Sequence, residues 1–352
     1  MESASYSQLF NTSWTLHRLS PLHHKKDCAS LLNNQAALTT YATRLRDQLT
    51  GDVLAGLHST ANTADDDSLS KIGALRECRW QSIAAGSSTR DASDRRDANT
   101  SFPGILVTLE YENIVYKAAL LAEPGSNPQR DPPSKGSTFL PLLLTKCPNA
   151  LRQTFISFLS ANFDAYCAPL RLPSTFLCKG LESFVDELRT GLGDSANEVV
   201  EEVIKELQLT LAFSAMIAPA LRTLNVSISR ASLTGFLSDG NSTSRRTLKQ
   251  KLSSPLIANL STYLETHLAM QLDLTGSSKN KAAKQHVRLS KASCAAFVLG
   301  GEGRMKLVVD VARAEGQDGD DAPTKDHLAL RASQTLLRAV IGKAVVGDQT
   351  AT

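Results

Sequence analysis

Residues 102–122 read FPGILVTLEYENIVYKAALLA, and their two-residue periodicity decides the fold class. Ile105, Val107, Leu109 and Tyr111 fall on one side of an extended chain, a turn follows at Glu112 and Asn113, and Ile114 to Leu121 return. That pattern predicts a β-hairpin. A second stretch, HVRLSKASCAAFVLGGEGRMKLVVDVA at 286–312, predicts strands at Cys294–Leu299 and Met305–Val311 joined by Gly300 to Gly303. Further strand runs lie at Trp14–Arg18, Leu75–Ile83, Phe139–Thr145, Leu207–Phe213 and Leu221–Ser229. Strands this numerous and mostly hairpin-linked belong in an antiparallel sheet.

Helical spacing is interspersed with them. Over 31–50, Leu38, Tyr41, Ala42, Leu45 and Leu49 repeat at three and four residues, with Gly51 placed to cap the C-terminus. NALRQTFISFLSANF at 149–163 makes a second helix, Ser195 with Glu198 opens a third, and Ser254-Pro255 opens a fourth. In the C-terminal run from Asp326, polar residues Arg331, Gln334, Thr335 and Arg338 form a narrow stripe, so the rest of that helix is expected to be packed. Strands and helices without strict βαβ alternation predict an α+β protein: a large curved antiparallel sheet with helices packed on one face.

Polar, small or Pro/Gly-rich segments at 58–70, 86–101, 123–137, 275–284 and 314–326 interrupt this pattern and cannot bury enough surface to offset their ordering entropy. They predict an N-terminal lobe over 1–122 with inserts at 58–70 and 86–101, a linker at 123–137 and a C-terminal lobe over 138–352. The 42% hydrophobic content of the 352 residues is ample for a core. The first ten residues lack a signal-peptide build, and the longest apolar run, Leu207 to Leu221, is broken by Gln208, Thr210, Ser214 and Pro219, so neither secretion nor a membrane span is expected. Six scattered cysteines with no CxxC pair predict reduced thiols.

Catalytic and metal motifs fail on their own mechanics. His17, His23, His24 and Cys28 cluster, yet adjacent histidines cannot readily share one ion and no second ligand pair is present. The Gly300-Gly301-Glu302-Gly303 stretch precedes a strand rather than the helix N-terminus that a phosphate loop needs. Gly193-Asp194-Ser195 resembles a nucleophile elbow, but position 197 is Asn. Glu198, Glu201, Glu202 and Glu206 read as a solvated helix face. The expectation is therefore no enzyme, no cofactor and no metal.

Charge is informative only in its placement. The formal total is +3, but residues 241–295 carry Arg245, Arg246, Lys249, Lys251, Lys279, Lys281, Lys284, Arg288 and Lys291 against Glu265 and Asp273. Such cations can follow a phosphate backbone without reading sequence. No aromatic interleaving points to single-strand base stacking, so double-stranded DNA is the expected nucleic acid.

The opening block, LFNTSWTLHRLSPLHH at 9–24 followed by the helix LLNNQAALTTYATRLRDQLTGDVL, resembles the start of the centromere protein L (CENP-L) family in its fungal form. Trp14 and the Ser20-Pro21-Leu22 turn carry the resemblance over residues 9–56. It implies a non-enzymatic inner-kinetochore subunit, located in the nucleus at the centromere and acting in chromosome segregation. It also implies a heterodimer with a centromere protein N (CENP-N)-like protein, contact with other inner-kinetochore subunits, and binding to centromeric chromatin carrying CENP-A. Under it, Arg245, Arg246, Lys249, Lys279, Lys281, Lys284, Arg288 and Lys291 are expected at DNA, and Phe297, Leu299, Met305, Leu307 and Val309 at the partner through strand pairing. The alternative is an autonomous homodimeric DNA-binding or recombination-associated protein on the same sheet architecture.

Overall fold

A computed structural model describes residues 6–24, 28, 30–54, 72–83, 102–124, 136–190, 192, 196–213, 220–237, 256–268, 287–315 and 324–346. Contacts group the chain into two compact units, one of Met1–Leu9, Trp14–Leu170 and Val340–Thr352, the other of Phe10–Ser13 and Arg171–Ala339.

The first unit opens with a 3-10 turn at Tyr6–Leu9 and continues through β1 (Ser13–Leu19), β2 (Leu22–His23), α1 (Gln35–Leu54), β3 (Leu75–Ile83), β4 (Gly104–Tyr111), β5 (Val115–Leu121), β6 (Ser137–Thr138), β7 (Leu142–Lys146), α2 (Asn149–Phe163) and β8 (Cys167–Pro169). Its sheet runs β8, β1, β7, β5, β4, β3, antiparallel at every step, and β2 pairs with β6 separately. The hairpin expected from 102–122 is β4 and β5, in register from Gly104 opposite Leu121 to Glu110 opposite Val115. β5 then pairs with β7, Leu121 opposite Leu142, so the segment 123–137 joins two strands of one sheet. The inserts at 58–70 and 86–101 lie outside the described residues.

Helix α1 begins where Asn34 Oδ1 accepts the Ala37 N–H at 3.2 Å. It runs through Gly51, which lacks the left-handed conformation of a glycine cap, so the expected stop at Gly51 is corrected to Leu54. Its buried Tyr41 meets Phe163 of α2 at a ring separation of 4.5 Å, and Trp80 of β3 lies about equally close to Tyr41, Phe155 and Phe158, at 6.0 to 6.2 Å. These rings fix α1 and α2 to the sheet face that carries Trp80, Val107 and Ala118.

The second unit contains α3 (Ser174–Arg189), α4 (Ala196–Ile204), β9 (Leu207–Phe213), β10 (Thr223–Ile228), α5 (Arg230–Leu237), α6 (Leu256–Leu268), β11 (Val287–Ser293), β12 (Phe297–Gly300), β13 (Arg304–Leu307), α7 (Val311–Glu315) and α8 (Lys325–Val346) up to Ala339. Its strands follow the order β10, β9, β11, β12, β13, all antiparallel. Helix α3 packs on the sheet closely enough that a Cβ at Gly180 would lie 3.7 Å from Leu299 and 3.1 Å from Leu336. Phe184 meets Phe297 edge-on at 4.9 Å.

The chain is therefore α+β, built on antiparallel sheet with helices packed against it. Gly301 to Gly303 form the β12–β13 turn, with Gly303 at φ +80. The strand expected over Met305–Val311 ends at Leu307, because the Val308 N–H turns to Ala296 C=O at 2.7 Å and Asp310 Oδ1 accepts the Arg313 N–H, starting α7. Ser195, Ser254 and Pro255, read as helix starts, lie outside the described residues. No helix among the described residues is long and apolar enough to cross a membrane.

Candidate nucleic-acid interface

Alternation along the five strands of the second unit separates two faces. Leu207, Leu209, Leu211, Leu289, Ala292, Phe297, Leu299, Met305 and Leu307 are buried on the helix side. The opposite side carries Gln208, Thr210 and Asn225, then Arg288 and Lys291 of β11, Gly300 of β12, and Arg304 and Lys306 of β13. Lys291 pairs with Gly300, which pairs with Arg304, so a residue without a side chain separates the two cations. They are about 10 Å apart, and Arg304 and Lys306 about 7 Å, from strand spacing and rise.

Arg288 and Lys291 share this face because the strand is irregular between Leu289 and Lys291. Ser290 is the extra residue of a bulge: its hydroxyl donates to Thr210 C=O at 2.9 Å and its C=O accepts the Gly301 N–H at 2.7 Å. Arg288, Lys291 and Arg304 are exposed and Lys306 half-buried. None of the five strands contains Asp or Glu, and no ion pair among the described residues occupies any of the four cations.

Several carboxylates lie instead on the helices, while exposed Glu302 sits in the β12–β13 turn. Glu201 pairs with Arg230 at 3.7 Å, Glu202 with Lys325, and Glu187 with Arg331 at 2.5 Å. Half-buried Glu182 on α3 is pushed up to about 6 by burial and then by Asp186, while accepting a backbone hydrogen bond from Ile257. Glu187, Glu201 and Glu202 are thus engaged by helix cations, whereas the strand cations have no acidic neighbour within their own strands, which leaves their charge open to a polyanion.

Of the expected DNA-contacting residues, Arg288 and Lys291 lie together here, and Arg245, Arg246, Lys249, Lys279, Lys281 and Lys284 fall outside the described residues. Arg304 and Lys306 lie beyond residue 295, outside the stretch that local charge density marks. The same alternation that turned Met305 and Leu307 inward was the signal for them. Phe297, Leu299, Met305, Leu307 and Val309, expected at a partner interface, have core side chains with 5% exposure or less. The backbone beyond β13 is also engaged: Asn11 donates to Leu307 C=O at 2.7 Å and its side chain brackets Val309. Among the described residues, the outer edge of β10 has no strand beside it.

His24 and His17 serve the scaffold. A carbonyl can only accept, so His24 Nδ1 donates to Cys28 C=O at 2.9 Å, leaving Nε2 to accept from the Thr138 hydroxyl at 3.0 Å. His17 is buried in β1, and its pKa is lowered to about 4 by burial first and by the Arg152 charge second. Burial pushes the thiols of Cys78 and Cys167 up to about 12 and those of Cys147 and Cys294 to about 11, so these four remain protonated, weak nucleophiles at neutral pH.

A protein-family model described as Centromere protein L matches residues 8–345 of the chain. No curated protein matches it.

Proposed function

The chain belongs to the centromere protein L family, and on that premise we propose that it is a non-enzymatic inner-kinetochore subunit that grips centromeric DNA through the cation-bearing sheet face of its second unit. Membership makes it a centromere and kinetochore protein of the nucleus, associated with other components of that complex. The finer reading is a heterodimer with a CENP-N-like protein that helps hold the CENP-A nucleosome. The observation supporting DNA contact is the sheet face, built from strands without Asp or Glu, on which Arg288, Lys291, Arg304 and Lys306 gather.

Partner contact by strand addition needs unpaired backbone groups, and β10 offers them. Phe213 N–H donates to Arg222 C=O at 3.0 Å. Because antiparallel pairs alternate, Thr223, Asn225 and Ser227 turn their N–H and C=O groups away from β9. An added strand at this edge would extend the sheet without disturbing the core.

Titration of a mixed-sequence duplex against salt tests the DNA reading. Each phosphate contact contributes about 0.9 to the slope of log affinity against log salt. The variant R288Q/K291Q/R304Q/K306Q is expected to lower that slope by about 3 to 4. An unchanged slope with intact folding would remove the face from the DNA contact.

A further inference from the structure

In the first unit two lysines oppose each other with no counter-ion among the described residues. Lys117 of β5 and Lys146 of β7 are direct cross-strand partners, so their Cβ atoms lie about 5 Å apart. They occupy the face away from α1 and α2, since the adjacent Ala118 belongs to the core under those helices. Lys146 is exposed and Lys117 half-buried. Like charges in this arrangement repel, so the sheet gains nothing from the pair. Burial first, and the Lys146 charge second, hold the Lys117 ammonium below its ordinary pKa.

The surroundings are preset. Lys117 Nζ donates to Gln8 Oε1 at 2.8 Å, and the turn bearing Gln8 is pinned where Trp14 Nε1 donates to Leu9 C=O at 2.8 Å. Thr108 lies opposite Lys117 on β4 and continues the row. The next residue in that row, Arg79, is already engaged by Glu77 and Glu110, each at 2.9 Å. The available positive charge in this row is therefore two residues wide and bounded by carboxylates on its β3 side. Val115, exposed and two residues along β5 from Lys117, lies on the same face.

We propose that Lys117 and Lys146 form a receptor for the phosphomonoester of a phosphorylated serine or threonine in a partner protein. Two ammonium groups on directly paired residues match a single group of charge about −1.5 to −2. An extended polyanion laid along this row toward β3 would run into Glu77 and Glu110, which separates the site from the strands of the second unit, none of which contains Asp or Glu. Val115 supplies an apolar contact for residues beside the phosphate, which free phosphate would leave unused. This site stands independently of the DNA reading.

The test uses the full chain and a phosphothreonine peptide pool with randomised flanks, beside the same pool dephosphorylated. The phosphorylated pool is expected to bind about tenfold more tightly. K146Q, at an exposed position, and K117Q/K146Q should each reduce that preference to about twofold or less, while the melting temperature in chloride stays level or rises as repulsion is removed. Inorganic phosphate should compete, and duplex DNA at matched ionic strength should not. Equal binding of the two pools, a preference that survives in both variants, or DNA competition abolished by K117Q/K146Q would each overturn the assignment.

Discussion

Asn11 holds the Val309 peptide from both sides: its Nδ2 donates to Val309 C=O at 2.8 Å and its Oδ1 accepts the Val309 N–H at 3.3 Å. The residue adopts φ 57, a left-handed conformation that asparagine accepts more readily than most. Asn11→Ala deletes both side-chain bonds and leaves alanine in that conformation, and is expected to cost about 2–3 kcal/mol in urea unfolding. Asn11→Gly removes the same bonds but accepts the backbone, so its cost should be smaller by about 1 kcal/mol.

Ser227 tests the edge of β10. Its N–H points away from β9, so Ser227→Pro removes an outward donor while sparing the ladder. The melting temperature should change little, whereas co-purification with a CENP-N-like protein should fall sharply. Undiminished recovery would move the partner to another surface, and loss of self-association instead would identify a second copy as the edge's occupant.

His17 makes stability depend on pH in a defined direction. Its folded pKa, near 4, lies below the unfolded value of 6.5, so the unfolded chain binds the proton first. The stabilisation from neutral His17 is complete above pH 6.5 and is lost as pH falls toward 4. Between pH 7 and 4.5 the wild type should lose about 2 kcal/mol more than His17→Gln. Parallel losses in denaturant titrations at the two pH values would exclude this role.

Gly180 reports on the seam between α3 and the sheet. Alanine gains up to about 1 kcal/mol of helix propensity and presses only on the terminal methyl of Leu336, so Gly180→Ala should stay within about 1 kcal/mol of wild type. Gly180→Val adds branching where Leu299 and Leu336 already close in, and should cost about 1–3 kcal/mol by calorimetry.

Much of the fold was legible because local periodicity reported burial directly. The β4–β5 hairpin and α2 follow their sequence patterns almost to the residue. Helix α3 was overlooked although Leu177, Leu181, Phe184, Val185 and Leu188 carry helical spacing, and all five are buried. The end of β13 was hidden because Val308, Val309 and Val311 continue a strand-like composition, while the deciding cap, Asp310, is one polar residue among them. The basic face was half legible. Charge density pointed to Arg288 and Lys291, but joining them to Arg304 and Lys306 required the pairing of three strands, a long-range relationship that no local window contains.

The extra residue in β11 carries a consequence for inheritance. Excising Ser290 would preserve every charged residue, the isoelectric balance and the hydrophobic content, yet it would shift the parity of one half of the strand against the other. Arg288 would then be driven toward the leucine-lined interior, or the pairing with β9 would have to slide. The electrostatic character of this surface is therefore encoded in the counting of residues as much as in their chemistry, and a one-codon deletion could abolish it without touching a cation.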